Sequence, residues 1–118
     1  MTGRVLVCGG RDYQQVQYLC GFLDSYHATE GIAHLLEGGA SGADYQARCW
    51  AKANNVEFTT FKAKWDKQGR SAGPLRNRVM VDDGKPDVVI AFPGGSGTAD
   101  MVDYARYRNV PVIKAKGV

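Results

Sequence analysis

Several things are scarce in this sequence, and each scarcity excludes a class of protein. No apolar run in the 118 residues comes near the roughly 20 that a helix needs to cross a bilayer. The opening Met1-Thr2-Gly3-Arg4 leads straight into a short apolar strand, without the longer hydrophobic segment and small-residue cleavage site of a secretory leader. Cysteine is limited to Cys8, Cys20 and Cys49, an odd number with no CxxC spacing. That pattern argues against a disulfide framework or a zinc site, and a reducing, cytoplasmic compartment is the expectation. Histidine is limited to His27 and His34, neither set in a Ser/His/Asp, Cys/His or HExxH pattern, so neither metal nor cofactor is expected. Charge of one sign is also lacking. Fifteen basic against twelve acidic residues leave +3, a balance that allows an anionic ligand without calling for nucleic acid.

What remains is an ordinary globular composition, 44% hydrophobic and 23% charged, in a length suited to one domain over residues 1–118. Short apolar runs occur at Val5–Cys8, Ile32–Leu36, Val56–Phe61, Asp87–Phe92 and Val110–Ile113. Most are continuous rather than alternating, as strands covered on both faces are. Amphipathic stretches lie between them. Val16, Leu19, Cys20 and Leu23 make one apolar stripe, and Ala43, Ala47, Trp50 and Ala51 make a second. Ser41 is a candidate N-cap for the second helix, with Asp44 as the acidic half of a capping box. A third helix is expected from Pro74, burying Leu75, Val79 and Met80, and a fourth from Gly97-Thr98, burying Met101, Val102 and Ala105. Residues 62–73 have weak periodicity and read as an irregular loop. Within it Trp65 either stacks on a base or seals the core, the core being favoured. Five strands alternating with helices predict an α/β protein with a doubly wound, mostly parallel five-stranded sheet flanked by helices.

In such sheets a ligand sits beyond the carboxyl ends of the strands. Three strands end here in glycine pairs: Gly9-Gly10, Gly38-Gly39 and Gly94-Gly95. Two pairs lead into helix starts, at Gly39-Ala40-Ser41-Gly42 and at Pro93-Gly94-Gly95-Ser96-Gly97-Thr98. Glycine lets backbone N–H groups approach a ligand closely, and a helix start adds unpaired donors and partial positive charge. Together they make a candidate phosphate cradle. The turns are neither a GxGxxG fingerprint nor a GxxxxGK[ST] loop, which disfavours a dinucleotide site and P-loop phosphoryl transfer. Arg11 after the first turn and Arg76 on the third helix could each clamp a phosphate, with Asn77 beside the latter. Asp12 could accept from a ribose hydroxyl or cap the first helix, the cap being favoured, and Asp44 is open between capping and ligand contact.

Taken together, Gly9-Gly10-Arg11-Asp12-Tyr13, Gly38-Gly39-Ala40-Ser41-Gly42-Ala43-Asp44, Ala63-Lys64-Trp65, Ala72-Gly73-Pro74-Leu75-Arg76-Asn77 and Ala91-Phe92-Pro93-Gly94-Gly95-Ser96-Gly97-Thr98 resemble the YspA/cpYpsA-related branch of the SLOG superfamily, found in bacteria and their phages. The resemblance implies a Rossmann-like fold that binds nucleotides or nucleotide-derived ligands, in host cytoplasm if the gene is a phage's. It is distant from the LOG phosphoribohydrolases, which release a base from a nucleoside 5′-monophosphate and carry PGGxGTxxE with an arginine on an earlier helix. Arg76 is the counterpart of that arginine, but the glutamate position holds Met101. A thioether neither stabilises an oxocarbenium ion nor moves a proton.

The leading expectation is therefore a nucleotide-like small molecule sensed or sequestered at Gly9, Gly10, Arg11, Gly39, Ala40, Ser41, Asp44, Arg76, Asn77 and the Pro93–Thr98 turn. An N-glycosidase with a relocated carboxylate, Asp12 or Asp44, is the alternative. The resemblance to DprA implies single-stranded DNA handling as a weaker one, against which the mild charge counts. LOG-type relatives also imply a homodimer.

Overall fold

The computed structural model describes residues 3–116, and in it every continuous apolar run forms a parallel strand. The strands β1 (Gly3–Cys8), β2 (Ile32–Glu37), β3 (Glu57–Thr60), β4 (Val88–Ala91) and β5 (Val112–Lys114) form one sheet in the order β3-β2-β1-β4-β5. All four pairings are parallel.

The absence of polar alternation follows from the two helical layers. Val5 and Val7 of β1, Leu35 of β2 and Ile90 of β4 pack with Leu19 and Leu23 of α1 (Val16–Thr29) and Ala47 and Trp50 of α2 (Ala43–Ala53). The alternate residues Leu6, Cys8, Leu36 and Val89 pack with Met80 and Val81 of α4 (Ala72–Asp82) and Met101, Val102 and Ala105 of α5 (Ser96–Tyr107). Leu6, Leu19, Leu35, Leu36 and Ile90 are fully buried, each burial stabilising by about 1.5–3 kcal/mol.

Several sequence expectations need correction. Helix α4 begins at Ala72 rather than Pro74; a proline in a first turn removes only an N–H that has no helical acceptor. The earlier start shifts its inward stripe to Ala72, Asn77, Met80 and Val81, leaving Leu75 and Val79 42% and 44% exposed. The segment 62–73 is not all irregular: it holds the short helix α3 (Trp65–Gln68) and a 3₁₀ turn at Gly69–Ser71. Trp65 does not seal the core and is 47% exposed. Val16 is the first residue of α1 and is exposed, ahead of the turn that meets the sheet. His34 is only half-buried, its Nε2 2.7 Å from the Thr59 hydroxyl. Its neighbour in this scarce class, His27, closes the turn after α1 by accepting the Ile32 N–H at Nδ1, 2.9 Å away.

Candidate functional site

From β1 the chain runs outward through β2 to β3, and from β4 outward through β5 the other way, so the strand order reverses between β1 and β4. At that reversal the helices diverge and leave a crevice at the strand ends. An open cleft of about 1150 Å³ lies there, lined by Gly9, Gly10, Arg11, Asp12, Asp44, Trp65, Arg76 and the whole Pro93–Thr98 turn. Gly38 and Ala40 line it as well, but Gly39 and Ser41 do not.

Gly10 joins the three turns. Its N–H donates to the Pro93 carbonyl at 2.9 Å, and its own carbonyl accepts from Tyr13 and Ala43, each at 3.2 Å. A Cβ on Gly94 would come within 2.6 Å of the Gly10 nitrogen and 2.2 Å of the Thr98 hydroxyl oxygen, so the first and third turns meet only because Gly94 has no side chain. With α5 fixed in this way, the N–H groups of Ser96, Gly97 and Thr98 form its first turn. The helix's first bond after its N-cap comes from Ala99 to Gly95, at 3.0 Å. Among the described residues those three N–H groups have no acceptor, and the hydroxyls of Ser96 and Thr98 have no partner. Five exposed or half-buried positions from Gly94 to Thr98 border solvent. The arrangement therefore presents several donors and the positive end of a helix to one open volume, which suits a small anion.

The second turn is built differently. The N–H of Gly39 donates to Glu37 at 2.7 Å and that of Ala40 to Asp44 at 3.2 Å, while the Ser41 hydroxyl donates to the Arg11 carbonyl at 3.1 Å. These three donors already have acceptors, and two of the acceptors are carboxylates. Gly42, not Ser41, is the N-cap of α2, with no side-chain cap, and the Asp44 carboxylate reaches back to Ala40. Glu37 went unnoticed in the sequence because it ends an apolar strand. It is completely buried, accepts from Gly39 and the Thr60 hydroxyl, and lies 3.8 Å from Arg48.

Arg76 reaches into this corner from α4. Its Nη1 donates to the carbonyls of Gly38 and Phe61, its Nε donates to Asn77 Oδ1 at 3.1 Å, and its Nη2 has no partner among the described residues. Burial pulls the guanidinium pKa down and the nearby Asp44 opposes that, but an arginine stays charged in either case. Burial also pushes the Cys8 thiol up to about 12, so it is an inert packing group. Asn77 donates to Gly97 O at 3.2 Å and to Asp100 at 2.9 Å, which locks α4 to the first turn of α5. Asp100 also pairs with Arg78, and Met101 is 1% exposed against Leu6 and Met80. Asp12 is exposed at the cleft and does not cap α1, whose N-cap residue is Gln15. Among the described residues no three His, Cys, Asp or Glu side chains gather as a metal site requires.

Burial pushes Asp44 up from 3.8 to about 6, against the lowering effect of the Ala40 N–H. Between those two values the folded protein holds a proton that the unfolded chain has released. Stability therefore falls as pH rises through that window and stays lower above it. Asp44→Asn removes the buried charge, so at pH 8 it should stabilise the protein by on the order of 2 kcal/mol. Denaturant unfolding should show that gain vanish near pH 4. An equal effect at both pH values would mean that Asp44 carries no buried charge.

Comparison with known proteins gives three findings. Residues 3–68 match a protein-family model described as YspA, cpYpsA-related SLOG family. The chain is 36% identical to the Gene 61 protein of Mycobacterium phage D29, over 93% of this chain and 94% of that protein. No solved structure matches.

Proposed function

Because the chain belongs to the YspA, cpYpsA-related SLOG family, we propose that it binds a nucleotide or nucleotide-derived phosphate in the cleft between β1 and β4 and acts by sensing or sequestering it. The observation that carries this reading is the set of N–H groups on Ser96, Gly97 and Thr98, without acceptors among the described residues and open to the cleft. A phosphate there accepts these bonds and faces the positive end of α5. Arg11 supplies charge at the mouth and Arg76 supplies it deeper in. Gly9, Gly10, Pro93, Gly94 and Gly95 shape the wall, and Asn77 holds α5 in place. Gly39 and Ala40 spend their N–H groups on Glu37 and Asp44, and Ser41 braces the first turn through Arg11, so these three are left out of the anion's contacts.

Hydrolysis is the second reading, favoured by the place of Asp44 in the cleft lining, where burial pushes its carboxyl up to about 6. A carboxyl so poised can protonate the departing base as the glycosidic bond breaks, and the resulting carboxylate then takes the proton released when water adds at the sugar carbon. Against it, Asp44 is almost fully buried and already accepts the Ala40 N–H, and the carboxylate position of the LOG motif is filled by the buried Met101.

A thermal-shift screen with AMP, ADP, ADP-ribose, NAD and cyclic nucleotides separates the readings. A ligand at 100 times its Kd should add roughly 2.7 kcal/mol. A bound compound recovered intact by chromatography supports binding alone. Release of free base, lost in Asp44→Asn or Asp12→Asn, would make the protein an enzyme. No shift with any compound would remove both. Light scattering on the same sample tests a further part of the proposal, that the working form is a homodimer, to which the outward Leu75 and Val79 offer an apolar patch; the mass of one chain would overturn it.

A further inference from the structure

The two tryptophans of this chain have opposite surroundings. Trp50 is 4% exposed, packs in the core and donates its indole N–H to Asp24 at 2.8 Å. Trp65, the first residue of α3, is 47% exposed and belongs to neither apolar cluster. It lines the same cleft as the Pro93–Thr98 turn. Its ring passes close to Gly73, where a Cβ would come within 3.2 Å of the indole. The Arg11 guanidinium carbon stands 5.1 Å from the ring centroid. Leaving a large apolar ring in water costs free energy that burial would recover, and the fold gains no core packing from this one. Arg11 follows directly on Gly10, the residue bonded to Pro93, so the arginine links the indole to the phosphate-facing turn.

We propose that Trp65 is the platform on which the ligand's planar base stacks, so that the site selects nucleoside phosphates over sugar phosphates. This rests on the reading that the start of α5 holds the phosphate. Arg11 lies over the indole as a cation–π partner. A base on the ring displaces the guanidinium, whose planar fork then serves the phosphate. Base and phosphate recognition are thereby coupled: the group that displaces the arginine also releases the charge that the other end of the ligand requires.

The test titrates the full chain with the four common nucleoside 5′-monophosphates and, in parallel, with ribose 5-phosphate, following heat by calorimetry and tryptophan emission. Stacking on an aromatic side chain corresponds to about ten- to hundredfold in affinity. At least one monophosphate should therefore bind tighter than ribose 5-phosphate by about that factor and quench the emission. In Trp65→Ala that ratio should fall to about one, while Trp65→Phe should keep most of it and lose the quenching. Equal binding of the monophosphates and ribose 5-phosphate to the parent would overturn the platform and leave the phosphate site standing. So would a Trp65→Ala variant that weakens all ligands alike, because the ring would then only shape the cleft. Should Trp65→Ala not fold, Trp65→Leu keeps apolar bulk without the aromatic face, and a preserved ratio there counts against stacking. If neither class of compound binds, the phosphate reading falls and this inference falls with it.

Discussion

Gly97→Ala is expected to cost on the order of a hundredfold in affinity for a phosphate ligand while leaving the ligand-free protein as stable as before, or more so. Gly97 is the second residue of α5, and a Cβ there would meet nothing within 4 Å. Its φ lies outside the range that side chains avoid. Neither turn geometry nor packing therefore demands glycine at this position, and alanine should add about 0.4–1 kcal/mol through helix propensity and a less flexible unfolded chain. Because Gly97 lines the cleft, the added methyl would take up room at the start of α5 that the proposed phosphate needs. Gly94→Ala would not serve as the same test, because its Cβ would overlap the Thr98 hydroxyl and the Gly10 nitrogen and disturb the fold itself. Thermal unfolding with and without ligand reads both effects in one experiment. Unchanged affinity in Gly97→Ala would mean that the anion does not sit on α5, and a lower ligand-free Tm would mean that the space is not open.

Gly42→Ala should destabilise the protein by more than about 3 kcal/mol, a large part of the 5–15 kcal/mol that holds a domain together. Gly42 has φ +71 and ψ −126, and a Cβ there would lie 2.2 Å from the Gly10 carbonyl oxygen and 2.5 Å from that of Arg11. Both are backbone atoms in the first turn, so no rotamer change relieves the contact. Gly69 provides the control, with φ +56 and ψ −134 but nothing within 4 Å of its Cβ. Gly69→Ala carries only the strain of the backbone conformation, about 1–3 kcal/mol. Urea unfolding of the two variants therefore separates strain from overlap. Equal costs would mean that the first and second turns can move apart.

The strands and the place of the cleft were legible in the sequence because they depend on local signals. Continuous apolar runs such as Val5–Cys8 indicate strands covered on both sides, and glycine pairs mark their carboxyl ends. The phase of α4 was not legible: Leu75, Val79 and Met80 make a plausible stripe, but where the helix begins decides which residues face inward. The division of work between the glycine turns was also hidden. Gly38–Gly42 and Gly94–Thr98 look alike as sequence, yet Glu37 and Asp44 fold back onto the donors of one and nothing does so in the other. Glu37 itself is accommodated by Gly39 in the turn that follows it, by Thr60 of β3 and by Arg48 of α2, and the last two are remote in sequence. The sequence favours a packed Trp65 over a stacking one because an aromatic residue in a weak pattern is usually packed, whereas its exposure depends on where α3 sits beside Gly73.

The strand order also has a consequence in time. β1 precedes the other four strands of the sheet in the chain and lies at its centre, but one of its two neighbours, β4, begins only at Val88. Residues 3–68 can place β2 and β3 on one side of β1 and still leave its other edge bare and apolar. A nascent or truncated chain therefore exposes an edge that invites pairing with a neighbour. β4 closes that edge and the turn that follows it completes the cleft, so a newly made chain forms its candidate site only once this apolar edge is covered.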